Sequence, residues 1–123
     1  MREDKKILIV DDNDDIITTY RVVLDRMGYQ VVVARNGSEV LAMIEEEKPD
    51  LVLLDVLLPG LSGSEVCRKI KETSETDVPV VAITASVSAA TREKMAEVGA
   101  DDFLLKPIDV SVLNRVVKKF LGV

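Results

Sequence analysis

Asp55 ends the apolar run Leu51-Val52-Leu53-Leu54-Asp55, and the chain then turns through Pro59-Gly60. Asp11 and Asp12 end a second such run, Ile7-Leu8-Ile9-Val10. Apolar runs of four or five residues bounded by turn residues read as strands buried on both faces. Two such strands, parallel in one sheet, deliver their terminal acids to the same edge. The product is an anionic cluster on an apolar platform. That cluster suits Mg²⁺, a hard cation that takes oxygen ligands and leaves part of its shell to water and phosphate oxygens.

The elements that must position these acids alternate strand and helix five times. The pattern predicts strands over Lys6–Val10, Gln30–Ala34, Leu51–Leu54, Val80–Ile83 and Asp102–Leu105. The first helix spans Asp14 or Asp15 to Met27 and stops at Gly28; Asp14 and Asp15 can cap it. Its core stripe reads as Ile16, Tyr20, Val23 and Met27, with Ile17 and Leu24 beside it as partly buried edge residues. Asn36-Gly37 turns the chain, and Ser38 caps a second helix to Glu47. The remaining helices span Ser64–Glu72, Ser88–Val98 and Asp109–Leu121. The fourth has few large apolar anchors, chiefly Met95 and Val98, whereas the fifth carries Leu113, Val116, Val117 and Phe120. Strands separated by helices imply right-handed parallel crossovers and an open, doubly wound α/β sheet. Its binding crevice lies outside the carboxyl ends of the strands. Asp11, Asp12, Asp55, Thr84 and Lys106 all fall at such ends.

Composition narrows the function. The 123 residues make one domain over 1–123, and a 47% hydrophobic content is enough for a core. Aromatics are only 3%, so Val, Leu, Ile and Ala must build that core, as in parallel sheets. A net charge of −6 argues against direct nucleic-acid binding. The absence of His excludes His-based catalysis and His metal ligands. The lone Cys67 reads as a small helical core residue and fits a cytoplasmic location. No apolar stretch approaches a membrane span, and the residues from Met1 to Lys6 lack an apolar signal region.

Four motifs now stand in order, each at a strand end: Asp11-Asp12, Asp55-Val56-Leu57-Leu58-Pro59-Gly60-Leu61-Ser62-Gly63, Ile83-Thr84-Ala85 and Lys106-Pro107. On these the whole chain resembles a receiver domain of the two-component response regulators, of the stand-alone, chemotaxis-regulator type. The resemblance implies a (βα)5 flavodoxin-like fold with strand order 2-1-3-4-5. It implies that Asp55 is the phosphoacceptor, a carboxylate nucleophile that holds an aspartyl-phosphate. Asp11 and Asp12 would hold Mg²⁺ with Asp55 and the backbone carbonyl of Leu57. Lys106, aimed inward by a cis bond to Pro107, would pair with Asp55 and then with a phosphoryl oxygen. Thr84 would donate its hydroxyl to the phosphoryl group, and Phe103 would be the aromatic that follows it inward. The implied donor is a histidine kinase or a histidine phosphotransfer protein. The implied output is a shift of the α4–β5–α5 face toward a downstream protein or domain, with no enzyme activity beyond the site's own phosphorylation and dephosphorylation. Leu57 and Ser86 depart from the polar residues that hold the attacking water in fast-cycling members, so a long-lived phosphoryl group is expected. The chain ends leave open whether the module stands alone or was part of a larger regulator.

Two other readings use the same residues. A phosphatase of the haloacid dehalogenase type also has an Asp nucleophile after a strand, but it needs a second Asp two residues later, where Leu57 stands. A flavodoxin-like binding module needs a Ser/Thr/Gly-rich phosphate loop after the first strand. The acidic segment from Asp11 to Asp15 would repel phosphate there.

Overall fold

A computed structural model of the chain describes residues 4–57, 62–73, 77–85 and 88–122. The elements are β1 (Lys6–Val10), α1 (Asp14–Arg26), β2 (Gln30–Ala34), α2 (Gly37–Glu47) and β3 (Leu51–Asp55), followed by α3 (Gly63–Thr73), β4 (Val80–Thr84), α4 (Ala89–Glu97), β5 (Asp102–Leu105) and α5 (Val110–Leu121). The strands form one parallel sheet in the order β2-β1-β3-β4-β5. This is the flavodoxin-like arrangement the resemblance implies. β3 and β4 each run one residue further than expected, taking Asp55 and Thr84 into the ladder.

The core is two layers, one on each face of the sheet. Side chains alternate along a strand. Ile7, Ile9, Leu51, Leu53, Val81 and Ile83 therefore join α1 and α5 in one cluster. Leu8, Val10, Val52, Leu54, Val80 and Ala82 pack on the other face with residues of α2, α3 and α4. β3 and β4 are buried at every position. By the same alternation Asp55 and, just past their strands, Asp11 and Lys106 fall on the α1/α5 side. Thr84 and Phe103 fall on the α4 side.

The local signals are mostly where the sequence puts them, with three corrections. The side chain of Asn13, not of Asp14 or Asp15, caps α1 by accepting from the N–H groups of Asp15 and Ile16. Asn36, not Ser38, caps α2; the Ser38 hydroxyl instead donates to the Asn36 side chain. The face of α1 is also rotated. Ile17, Tyr20 and Leu24 are its buried residues. Ile16, Val23 and Met27 are half-buried on the flank of the same cluster. Ile17 and Leu24 are thus core and cannot be a docking surface. Gly28 and Gly99 end α1 and α4 in left-handed conformations that side chains disfavour. Cys67 is buried on α3, as expected, and burial pushes its thiol up to about 11, so it is an inert core residue. α4 keeps a single fully buried anchor, Met95, with Val98 half-buried behind it. Among the described residues no helix is long and apolar enough to cross a membrane. The Pro59-Gly60 turn and Ser86 lie outside the described residues.

Candidate functional site

Sheet register assembles the site. Val10 pairs with Leu54, Asp55 with Ile83, and Thr84 with Leu105. Asp11, Asp55, Thr84 and Lys106 are therefore brought abreast at the carboxyl edge, though they are spread over 96 positions of sequence numbering from Asp11 to Lys106. Carboxylate oxygens of Asp11, Asp12 and Asp55 lie within 4.8 Å of one another. Asp11 and Asp55 are buried, at 2% and 5% exposure, whereas Asp12 is exposed. Three acids packed this closely repel one another. The arrangement is a set of hard oxygen donors, two anchored in the platform and one at its rim, and it fits Mg²⁺.

Lys106 resolves part of that repulsion. Its Nζ donates to Asp11 Oδ2 at 3.0 Å and to Asp55 Oδ2 at 3.1 Å. The Lys106–Pro107 bond is cis, as the resemblance implied, and the Lys106 N–H donates to the Thr84 carbonyl at 2.8 Å. Burial alone would lower the ammonium's pKa. The bonds to Asp11 and Asp55 outweigh burial and hold it above the usual lysine value. Asp55 is shifted above the usual carboxylate range, first by burial and then by the charge of Asp11. The Leu57 N–H, donating to Asp55 Oδ1 at 3.0 Å, and the Lys106 ammonium oppose that rise.

The loop after Asp55 is fixed at both ends. The Val56 N–H donates to Ile83, and the Val56 carbonyl accepts from Gly63 at 2.9 Å. A Cβ on Gly63 would stand 2.4 Å from Val56 Cα, so only glycine lets α3 begin this close to the loop. Leu57 points out of the site's packing, at 65% exposure. Thr84 is fully buried. Phe103 is half-buried against the α4-side cluster, across from Ala82 in register.

Two features were not legible as site components. Tyr20, read as an ordinary core position, is buried and lines a groove of about 450 Å³ with Lys106, Pro107, Ile108 and Ala85. Burial raises its phenol pKa, and the charges of Lys106, Asp11 and Asp55 all act on it, so the ring borders the acid pocket. Arg35 forms an ion pair with Asp14 and ties the β2–α2 turn to the start of α1. No sequence spacing announces either contact, because each joins two chain segments that meet only in the fold.

Comparison with known proteins follows this geometry. Residues 7–118 match the family described as the response regulator receiver domain. The alkaline phosphatase synthesis transcriptional regulatory protein PhoP of Bacillus subtilis is 41% identical over 117 residues, covering 95% of this chain and 48% of PhoP. The polar-differentiation response regulator DivK of Brucella anthropi is 34% identical over 119 residues, covering 96% of this chain and 97% of DivK. The chain spans about half the length of the first relatives it matches. A solved receiver domain of the sensor histidine kinase PA1611 from Pseudomonas aeruginosa, with a magnesium ion coordinated in its active-site cleft, superposes with a TM-score of 0.88 at 30% identity, covering 97% of this chain and 98% of that one.

Proposed function

This chain belongs to the family of response regulator receiver domains, modules of phosphorylation-dependent signalling, and from that premise we propose that Asp55 is its phosphoacceptor. The observation that carries the reading is Lys106 Nζ held between Asp11 and Asp55, whose carboxylates cluster with that of Asp12. A carboxylate oxygen of Asp55 attacks the phosphorus of a phosphohistidine. The P–O bond forms, the P–N bond breaks, and the imidazole leaves. Lys106 follows the charge from the carboxylate to a phosphoryl oxygen, as a point-charge ammonium on a flexible stem can. Thr84 donates its hydroxyl to a second oxygen, and Phe103 follows into the space Thr84 vacates. The α4–β5–α5 face thereby changes its population of states. The phosphatase reading gains no support from the family match or from Leu57, whose apolar, exposed side chain cannot act as the general acid. The test is intact-mass spectrometry after incubation with acetyl phosphate and Mg²⁺.

Receiver domains bind Mg²⁺ at an acidic pocket, and here Asp11, Asp12, Asp55 and the Leu57 carbonyl would hold it. When bound it neutralises negative charge on the acids and on the incoming phosphoryl group. Mg²⁺ should raise the melting temperature of the protein, and EDTA should reverse the rise. At a hundredfold excess over Kd the gain is about 2.7 kcal/mol, worth several degrees in a domain of this size. Asp12→Asn should lose most of it. An equal rise in Asp12→Asn would place the ion elsewhere.

The partners follow from the same reading. A histidine kinase or histidine phosphotransfer protein supplies the phosphoryl group and docks on α1, and a downstream output protein or domain reads the α4–β5–α5 face. Neither nucleic acid nor membrane is engaged directly. The lifetime of the phosphoryl group depends on how well an in-line water is held, and Leu57 offers that water no hydrogen bond. Leu57→Asn should speed loss of the phosphoryl group about threefold to tenfold, the latter being about 1.4 kcal/mol of barrier. The measurement is decay of the intact-mass adduct after the phosphodonor is removed. A variant no faster than the parent would show that Leu57 does not set the rate.

A further inference from the structure

A second set of contacts crosses the α4–β5–α5 face away from the acid pocket. Arg92, exposed on the first half of α4, places its guanidinium carbon 5.3 Å from the centroid of the Phe103 ring. The Phe103 N–H donates to Asp102 Oδ1 at 2.8 Å, and Asp102 Oδ2 accepts from Lys119 of α5 at 3.2 Å. One strand position thus anchors the aromatic residue's backbone, and α5 is tied to that position. α4 reaches the aromatic ring itself. Phe103 and Thr84 lie on the same face of neighbouring strands, with Ala82 paired to Phe103 and Thr84 two residues further along.

We propose that Arg92 is a positioning residue for the switch: its guanidinium holds the Phe103 ring at the half-buried surface position and biases the unphosphorylated protein against the active arrangement. The proposal rests on the reading of Phe103 as the aromatic that follows Thr84. A phenylalanine has no hydroxyl to fix its position by hydrogen bonding, so burial and the facing cation set its balance. Burial draws the ring inward on the Thr84 side. The cation's attraction to the ring face opposes it, and this attraction exists only while the ring is out. α4 is a suitable carrier for such a clasp, because Met95 is its one buried residue and little else fixes it to the sheet.

A ligand that favours the ring-in state binds more tightly when the ring-out state loses support. The probe is beryllofluoride with Mg²⁺, titrated by a fluorine-labelled reporter on α4 or by the amide resonances of Phe103 and its neighbours. Arg92→Met keeps the side chain's apolar stem and removes its charge. It should saturate at about two- to fivefold lower beryllofluoride, the range expected of one exposed cation–π contact. Arg92→Lys should stay close to the parent. In a Phe103→Leu background, Arg92→Met should change nothing, because the ring face is gone. A shift of the same size in that background would overturn the proposal by showing that Arg92 acts through α4 alone. An unshifted titration of Arg92→Met in the parent would overturn it as well. A failure of every variant to bind beryllofluoride, with each shown to be folded by its amide spectrum, would sink the phosphoacceptor reading and this proposal with it.

Discussion

Incubated with acetyl phosphate and Mg²⁺, the protein should gain the mass of one phosphoryl group, and Asp55→Asn should gain none. The expectation is all-or-none because the substitution removes the nucleophilic oxygen and keeps the shape. Asn retains an acceptor for the Leu57 N–H, which now reaches Asp55 Oδ1 at 3.0 Å. Lys106 retains Asp11, 3.0 Å away. The variant should therefore fold and keep its groove while losing only the chemistry. Omission of Mg²⁺ should slow the parent's reaction steeply, since the buried carboxylates of Asp11 and Asp55 otherwise face the incoming phosphoryl group with Lys106 as the one described cation bonded to them. An adduct that survives in Asp55→Asn would assign the acceptor to another residue. A parent that stays unmodified with acetyl phosphate and with phosphohistidine donors alike would overturn the reading.

Ile17→Glu should cripple the fold itself. The residue is 3% exposed and sits in the cluster formed by β1, β3, α1 and α5. A carboxylate there would be buried in a mainly apolar cluster, and burial of an unpaired charge costs several kcal/mol. Against a typical total of about 5–15 kcal/mol, a loss of about 4 kcal/mol would lower the melting temperature by roughly 10–20 °C. Phosphorylation by acetyl phosphate and by a phosphohistidine donor should fall together. Val22→Glu on the same helix makes the contrast. Val22 is 44% exposed, so its replacement should leave melting and acetyl phosphate chemistry intact and slow only transfer from a protein donor that docks on α1. Equal slowing with both donors in Val22→Glu would remove α1 from the docking surface. Normal melting of Ile17→Glu would contradict the packing described for α1.

The sequence by itself determined the class of fold and the edge at which its strand-end acids and Lys106 gather, because both are written in local patterns. A buried parallel strand must be apolar along its length, and the acid or lysine that breaks such a run marks its carboxyl end. Five runs separated by helices leave few topologies, and all of them gather strand ends at one edge. Asp11, Asp12, Asp55, Thr84 and Lys106 were legible for that reason. The helix glycine at 28 was legible because only the local backbone decides it. The tertiary structure decided what depends on how elements meet. α1 carries two apolar stripes one residue apart, and hydrophobicity alone cannot say which rests on the sheet; the fold turned Ile17 and Leu24 inward and left Ile16, Val23 and Met27 at the flank. Asn13, Asp14 and Asp15 at one helix start and Asn36 and Ser38 at another all carry oxygens that can cap, and only backbone geometry gave the caps to Asn13 and Asn36. The sharing of Lys106 between Asp11 and Asp55, the place of Tyr20 beside them and the seating of Arg92 over Phe103 all join distant segments. Such contacts follow from sheet register and helix rotation, which are set by the packing of the whole domain and leave no periodic trace in any one stretch of chain.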